Sequence, residues 1–222
     1  MNVLIIYAHP ETQSFNGAMF RTAVKVLTAQ RHEVKFTDLY AQAFNPVSDR
    51  SNFKSVFNPN YFKQQQEETY ATEVNGFAGD IASEQEKLLW CDLMVWQFPL
   101  WWFSVPAILK GWVDRVFAMG KVYGNGKLYE SGIFQDKKAL LSLTTGGTPE
   151  AYVKGGFNGD LAGILRPIQR GILEFTGFSV LDPHVVYGPV RKTGEELVAE
   201  LERWQLRLRS IGVETPVKVG IY

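Results

Sequence analysis

Short apolar runs alternate along the chain with longer segments in which apolar residues recur at helical spacing. Val3–Ala8 is a continuous apolar run rich in β-branched residues, which predicts a strand buried on both faces of a parallel sheet. Helical spacing predicts a helix over Phe15–Gln30 with Ser14 as its N-cap, and Glu33–Leu39 is a second predicted strand. The chain therefore opens with a βαβ unit whose crossover is expected to be right-handed.

The same alternation resumes after residue 76. A helix is predicted to end near Trp90, and the elements after it are the strands Leu93–Phe98, Lys138–Thr144 and Phe178–Tyr187 and the helices Pro106–Met119, Leu161–Thr176 and Glu195–Ile211. Five strands separated by helices predict a single α/β domain over residues 1–222, with a doubly wound five-stranded parallel sheet of order 2-1-3-4-5.

The segment Asn45–Gly76 interrupts this pattern and shows neither the strand period nor the helix period. A loop of this length in a compact domain is usually functional or disordered. Its scattered aromatic residues favour an ordered, packed segment.

Doubly wound sheets bind ligands at the carboxyl ends of their strands, and this rule selects three loops. The first, His9–Gly17, runs into a predicted helix whose exposed amides and positive dipole end suit a phosphate or pyrophosphate. An ordinary capped turn is the alternative interpretation. The loop contains neither a G-x-G-x-x-G motif nor a Walker lysine, so it does not match the common dinucleotide and P-loop sites.

The other two loops follow the third and fourth strands. Trp101, Trp102 and Phe103 form a flat apolar wall suited to stacking a fused-ring cofactor, with core packing as the alternative. In the loop Thr144–Tyr152, adjacent glycines let the backbone approach a ligand closely, and threonine hydroxyls suit the polar edge of a flavin. A structural turn would also explain those glycines.

Composition narrows the possible partners. The 23 basic and 23 acidic side chains give a formal net charge of zero, so no broad field favours nucleic acid or an anionic membrane. Cys91 is the only cysteine, which excludes an intrachain disulfide and favours the cytoplasm. The amino-terminal apolar run is too short to span a membrane and has no basic leader. His9, His32 and His184 are far apart without paired cysteines, so no metal site is expected.

Several motifs in order resemble those of the FAD-dependent NAD(P)H quinone reductases, the mammalian type 1 and type 2 enzymes and their bacterial relatives. The resemblance covers almost the whole chain and is carried by Tyr7–His9, Ser14–Asn16, Asp38–Tyr40, Phe44–Pro46, Gln97–Leu100, Trp102–Phe103, Val105–Trp112, Thr144–Gly147 and Asn158–Asp160. It implies a flavodoxin-like fold and ping-pong hydride transfer, in which NADH or NADPH and a quinone use one pocket in turn. Azo and nitro compounds are further acceptors that it implies.

The resemblance also implies roles for individual residues. FAD, with FMN as the alternative, would be bound by His9, Ser14, Phe15, Asn16, Gly17, Pro99, Leu100, Trp101, Trp102, Phe103, Thr144, Thr145, Gly146, Gly147, Tyr152 and Arg191. The Tyr152 hydroxyl would stabilise negative charge near the flavin N1 and O2 atoms, and Asn158 would lie beside it.

The family resembled is one of obligate homodimers whose active sites take residues from both subunits. Trp102 and Phe103 of one subunit would then face Tyr123, Asn125 and Phe175 of the other. Asn125 stands where the family usually has a second pocket aromatic, so the pocket is expected to be wider or more polar here.

Three further positions depart from the family's pattern. Asn158 stands where the type 1 enzyme has a histidine, as in the type 2 enzyme; an amide donates a hydrogen bond but cannot relay a proton. Trp101 replaces a polar residue. Leu197 aligns with an arginine near the adenine end of FAD, which leaves Arg191 or Lys192 as its substitute.

Two other functions are alternatives to quinone reduction. A flavodoxin-like electron carrier usually presents a strongly acidic face, whereas this chain is neutral and surrounds its predicted site with tryptophan. Ancillary regulatory subunits of potassium-efflux systems are relatives of the same family, but they are shorter and lack the Asn45–Gly76 segment. The reductase is therefore the leading interpretation.

Overall fold

A parallel sheet forms the centre of the protein, whose structure is a computed structural model that describes residues 1–220. Its strands are β1 (Asn2–Tyr7), β2 (Glu33–Asp38), β3 (Leu93–Pro99), β4 (Lys138–Thr145), β5 (Ser179–Val180) and β6 (His184–Tyr187). The order is β2-β1-β3-β4-β5, with β6 also paired to β4, and every pair is parallel. The predicted doubly wound order is confirmed. Its switch point lies between β1 and β3.

The predicted fifth strand is divided into two short strands. Instead of one run over Phe178–Tyr187, β5 pairs with the start of β4 and β6 pairs with its end. Between them lies Pro183, which has no amide hydrogen to donate to a ladder. Both segments therefore occupy one edge position, and β6 reaches the carboxyl end of the sheet beside β4.

Within residues 1–220, six α-helices cover the two faces of the sheet: α1 (Phe15–Ala29), α2 (Gln64–Val74), α3 (Gly79–Trp90), α4 (Ala107–Val116), α5 (Leu161–Ile168) and α6 (Gly194–Ser210). Alternate residues of each strand point to opposite faces. Val3 and Ile5 pack with α1 and α6 in one buried cluster, whereas Leu4 and Ile6 belong to the other cluster, with residues of α3, α4 and α5. None of the helices described is long and apolar enough to cross a membrane.

The helix predicted over Leu161–Thr176 changes its geometry along its length. It is α-helical to Ile168, continues as a π-helical turn over Gln169–Leu173 and ends as a 3-10 turn at Thr176. Pro167 lies near the change, where it removes one amide donor and crowds the preceding turn.

The segment Asn45–Gly76 is ordered and contains a helix that its hydrophobic pattern does not predict. The buried face of α2 includes two carboxylates, Glu67 and Glu68. Glu67 accepts hydrogen bonds from the amides of Phe57 and Asn58 at 2.7 and 3.0 Å. Burial would raise the pKa of Glu67, but these amides and the neighbouring Arg50 together outweigh it and lower the pKa. The buried face of α2 is held in place by carboxylates that accept hydrogen bonds from backbone amides, so its sequence shows no continuous apolar stripe.

Arg115 of α4 fixes the start of the same segment. Its guanidinium is buried and donates to the Asn45 carbonyl at 3.0 Å, to Asn52 Oδ1 at 2.7 Å and to Asp80 Oδ2 at 2.9 Å. The segment is therefore held against α3 and α4 by a buried cation with three oxygen partners.

His184 is a buried histidine that the fold keeps neutral. Its ring lies on Trp204 with 4.4 Å between centroids, and Nε2 has no hydrogen-bond partner within residues 1–220. Burial, and then the positive charges of Arg203 and Arg207, lower the pKa of His184 to about 3. In the unfolded chain the pKa of His184 returns to ~6.5. Between the two pKa values, the unfolded chain therefore binds a proton that the folded chain does not.

We expect the free energy of unfolding to fall as the pH drops below about 6.5. The protonation of His184 accounts for up to ~1.4 kcal/mol of this fall per pH unit. His184→Phe keeps the aromatic contact and removes the titration. From pH 7 to pH 5, the free energy of unfolding measured in urea should therefore fall by about 2 kcal/mol more in the wild type than in the variant. Parallel pH profiles for the two proteins would contradict this account.

Candidate active site

A cavity of about 500 Å³ opens at the carboxyl ends of β1, β3 and β4. It is lined by His9, Ser14, Phe15, Asn16, Pro99, Leu100, Trp101, Thr144, Thr145, Gly146, Pro189 and Val190. All but the last two belong to the predicted cofactor-binding set. The three predicted loops therefore meet in one cavity at the switch point of the sheet.

A chain of buried side-chain hydrogen bonds lies beneath this cavity. Gln97 Nε2 donates to Asn16 Oδ1 at 2.8 Å, and Ser142 Oγ donates to Gln97 Oε1 at 2.8 Å. Asn16 Nδ2 donates to Thr144 Oγ1, also at 2.8 Å. All four side chains are buried. This network joins the start of α1 to β3 and β4, and it fixes the distances between the three loops.

The amino terminus of α1 forms one wall of the cavity. Ser14 caps the helix by accepting a hydrogen bond from the Gly17 amide at 3.1 Å. A Cβ atom at Gly17 would lie 2.1 Å from the Thr12 carbonyl oxygen, so this tight approach requires glycine. His9 Nδ1 lies 3.0 Å from the Glu11 amide nitrogen and 3.1 Å from the Glu11 carbonyl oxygen, and these contacts hold the ring beside the helix start. The wall can therefore present amide and imidazole donors to an anion.

The aromatic loop after β3 is a tight turn held in an unfavourable backbone conformation. The amide and carbonyl groups of Trp101 and Ser104 exchange two hydrogen bonds, each 3.0 Å long. Between them Trp102 and Phe103 have φ angles of 51° and 56°, in the left-handed region. This conformation costs roughly 1–2 kcal/mol for each such residue. Of the three aromatic residues in this loop, only Trp101 lines the cavity, and the Trp102 side chain is 96% exposed.

Tyr152 and Asn158 lie together beside the glycines that follow β4. A Cβ atom at Gly147 would be 2.9 Å from Tyr152 Cε2 and 3.0 Å from Asn158 Nδ2. The Tyr152 ring is buried and packs against Tyr187 with 5.9 Å between centroids. Neither lines the cavity, but Gly147 follows Gly146, which does. The predicted catalytic pair is thus next to the cavity rather than in its wall.

Arg191 reaches the same loop from the other side. It ends a short 3-10 turn after β6, and its guanidinium donates a hydrogen bond to the Gly146 carbonyl oxygen. Lys192, the other predicted substitute, instead forms an ion pair with Glu200 at 3.0 Å. Pro189 and Val190 of this turn line the cavity, and the sequence interpretation missed them. A Gly-Pro pair directly after a strand was the signal that could have indicated them.

The predicted substrate residues Tyr123, Asn125 and Phe175 lie outside the cavity lining. Phe175 contacts Tyr123 with 5.8 Å between ring centroids and contacts Tyr129 at 5.4 Å. Asn125 is exposed and has a left-handed φ of 55°. Tyr123, Tyr129 and Phe175 form a separate aromatic cluster, and Asn125 lies in the exposed loop after Tyr123. The contribution of the three predicted residues to a partner's site therefore stays a prediction.

Cys91 and the histidines do not form a second reactive site in residues 1–220. The Cys91 thiol is buried, and burial raises its pKa to about 12, so it is not a nucleophile at neutral pH. No three His, Cys, Asp or Glu side chains of this part of the chain are grouped as metal ligands.

Known proteins are similar to this chain over almost its full length. A family model described as the flavodoxin-like fold matches residues 1–208. The chain is 45% identical to a rat ribosyldihydronicotinamide dehydrogenase (quinone), over 97% of its own length and 94% of the relative's. It is 43% identical to guinea pig NAD(P)H dehydrogenase (quinone) 1, over 96% of the chain and 78% of that protein.

A crystal structure from Klebsiella pneumoniae, assigned as that of a quinone reductase, superposes with a TM-score of 0.94. The two proteins are 39% identical, and the match covers 98% of this chain and 87% of the other. Sequence and backbone thus agree over almost the whole chain.

Gln97→Leu tests the network beneath the cavity. The substitution leaves Asn16 Oδ1 without its donor and Ser142 Oγ without its acceptor in a buried site. We expect the free energy of unfolding in urea to fall by about 2–4 kcal/mol. Gln42→Leu, at an exposed position, is the matched control and should change it by less than about 0.5 kcal/mol. Equal effects of the two substitutions would show that the network is not a structural constraint.

Proposed function

Because the chain belongs to the flavodoxin-like family of NAD(P)H quinone oxidoreductases, we propose that it reduces quinones by two electrons from NADH or NADPH through a bound flavin. The overall reaction is NAD(P)H + H⁺ + quinone → NAD(P)⁺ + hydroquinone. The observation that carries the proposal is the cavity, in which a helix amino terminus, an aromatic turn and a glycine loop meet. Azo and nitro compounds are further candidate acceptors.

The residues of the cavity fit a flavin phosphate chain and ring. The capped start of α1, with His9 and Ser14 beside it, would hold the phosphate groups. Pro99, Leu100 and Trp101 offer an apolar surface for the ring. Space beside Gly146 is open, since a Cβ atom there would meet nothing within 4 Å, so its backbone can approach a ring edge.

The flavin supplies hydride transfer, and the protein supplies position and hydrogen bonds. We assign Tyr152 as the donor that stabilises negative charge during hydride transfer, with Asn158 as a neighbouring amide donor. Gly147 keeps both side chains close to the loop backbone. Because an amide does not titrate near neutral pH, Asn158 would orient a substrate rather than move a proton.

FAD is proposed over FMN because the cavity has a fourth wall. Pro189 and Val190 line it beyond the glycine loop, and Arg191 lies at the end of the same turn. An adenine ring and its phosphate could use this apolar surface and cation, whereas FMN would leave both unused. Release of the flavin from purified protein and measurement of its mass would decide between the two.

The proposed activity is tested by anaerobic mixing of the flavoprotein with NADH or NADPH. The oxidised flavin absorbance should be lost, and a quinone added afterwards should restore it. If both nicotinamides leave the flavin oxidised, a dihydronicotinamide riboside is the remaining donor to test. A flavin that stays oxidised with all three donors would contradict the proposal.

We further propose a homodimer in the cytoplasm, with Tyr123, Asn125 and Phe175 completing the partner's pocket. Tyr123 and Phe175 contact each other outside the cavity of their own chain, and Asn125 is exposed, so a second copy can reach them. The lone buried Cys91 is consistent with a reducing compartment.

Heterodimers of two impaired variants test whether the pocket is shared. Tyr152→Phe removes the proposed hydroxyl donor and Phe175→Ala the proposed partner wall, so each homodimer should have low activity. In a mixed dimer with shared pockets, one pocket carries both changes and the other neither, so about half of the wild-type activity should return. Activity equal to the mean of the two variants would show that each pocket belongs to one chain.

A further inference from the structure

Four asparagines of this chain are followed directly by glycine, and the fold gives the four pairs different surroundings. They are Asn16, Asn75, Asn125 and Asn158. Asparagine is chemically labile, and it is most labile before glycine, because no side chain on the next residue hinders attack by that residue's amide nitrogen. The attack needs an amide that is not hydrogen-bonded, an accessible side chain and room for the backbone to turn. The tertiary structure therefore decides which pair can react.

Three of the pairs are protected by a hydrogen bond from the glycine amide. The amides of Gly17, Gly76 and Gly159 donate to nearby oxygen atoms at 3.1, 2.8 and 3.1 Å, respectively. Asn16 is also buried, and both polar atoms of its side chain are hydrogen-bonded. Each of these pairs must open locally before its amide nitrogen can attack, and local opening costs free energy.

The fourth pair lies at the tip of an exposed turn and lacks this protection. Asn125 and Gly126 have positive φ angles of 55° and 78°, as the central residues of a type I′ turn do. Within residues 1–220, neither the Gly126 amide nor the Asn125 side chain forms a hydrogen bond. Both residues are exposed, and a Cβ atom at Gly126 would meet nothing within 4 Å.

Little resists rearrangement of this turn. A single backbone hydrogen bond spans it, from the Lys127 amide to the Gly124 carbonyl at 3.0 Å. Gly124 and Gly126 flank Asn125 and have no Cβ atoms, so the backbone can rotate on both sides of the asparagine. Bringing the Gly126 nitrogen onto the Asn125 side chain therefore breaks one exposed hydrogen bond and no packing.

We propose that Asn125 is a site of spontaneous deamidation in the folded protein. The Gly126 nitrogen forms a bond to Asn125 Cγ, the Cγ–Nδ2 bond breaks, and ammonia leaves with the amide proton. Water then opens the resulting cyclic imide at Cγ to give aspartate, or at the backbone carbonyl carbon to give isoaspartate. Each converted chain gains one negative charge at this turn.

The consequence for catalysis rests on the proposed function, in which Asn125 completes the partner's pocket. A carboxylate at this position repels the phosphate groups of NADPH and has much less effect on an uncharged quinone. The position is exposed, so solvent keeps the repulsion small and added salt screens it. Deamidation would thus weaken binding of the electron donor in protein that has aged.

Peptide mapping of aged native flavoprotein tests the modification without any activity measurement. Trypsin releases the four pairs in four separate peptides, because a lysine or arginine lies between successive pairs. Conversion appears as the mass difference between an amide and a carboxyl, and digestion in H₂¹⁸O marks any conversion that occurs during the digest. In mildly alkaline buffer, we expect Asn125 to convert at least ~10 times faster than Asn75, the matched exposed asparagine, since Asn75 must first open.

Protein unfolded in urea is the second control. All four asparagines should convert at similar rates there, because no fold protects their glycine amides. Native Asn75 or Asn158 converting as fast as native Asn125 would overturn the proposal, and so would protection of native Asn125 relative to the unfolded chain by ~10-fold or more. In Asn125→Gly, which keeps a residue suited to this turn, the acidic form that accumulates in isoelectric focusing should be absent.

Asn125→Asp tests the consequence for catalysis, because the two side chains have the same shape and differ in charge. We expect the ratio of variant to wild-type KM for NADPH to be about 2–5 at low salt and to approach one at high salt. The corresponding ratio for benzoquinone should not depend on salt. A ratio for NADPH that ignores salt would overturn the electrostatic effect on the pocket. If fresh wild-type flavin is not reduced at all, the proposed function fails, and the peptide map still decides whether Asn125 deamidates.

Discussion

The buried hydrogen bonds that join Asn16, Gln97, Ser142 and Thr144 are the constraint on which the candidate site depends. Polar side chains in such a position cost free energy unless each one finds its partner, so the network accepts only one arrangement of α1, β3 and β4. That arrangement sets the separation between the helix start, the aromatic turn and the glycine loop. The cavity is therefore formed by the same contacts that align the carboxyl ends of the strands.

The loops around the cavity adopt backbone conformations that are uncommon in ordinary surface turns. Trp102 and Phe103 have left-handed backbones, and Gly17 and Gly147 permit approaches that a Cβ atom would block. Local strain of this kind persists only where the surrounding structure fixes it, and it is concentrated at functional sites. The exposed Trp102 fits the same picture, because two backbone hydrogen bonds between Trp101 and Ser104 close its turn.

The segment Asn45–Gly76 shows how charge can replace an apolar stripe. Glu68 is buried, and burial raises the pKa of its carboxyl, although it accepts hydrogen bonds from the Met119 amide at 2.7 Å and from Gln64 at 2.8 Å. Glu67 binds the segment to itself through Phe57 and Asn58, whereas Glu68 joins it to Met119 and Arg115 joins it to α3 and α4. Such contacts are expensive to leave unmade, which explains why a helix without an amphipathic pattern is nevertheless ordered.

The sequence by itself determined the alternation of strands and helices, the βαβ opening and the loops that hold ten of the cavity's residues, because apolar period and loop position are local properties of the chain. The strand order followed from that alternation, which is typical of a doubly wound sheet. Only the tertiary structure revealed helix α2, the division of the last strand at Pro183, and Pro189 and Val190 in the cavity wall. It also placed Tyr152 and Asn158 beside the cavity instead of in its lining. These features depend on contacts between residues distant in sequence, such as buried carboxylates with amide donors and β6 with β4, and no local pattern encodes such pairings.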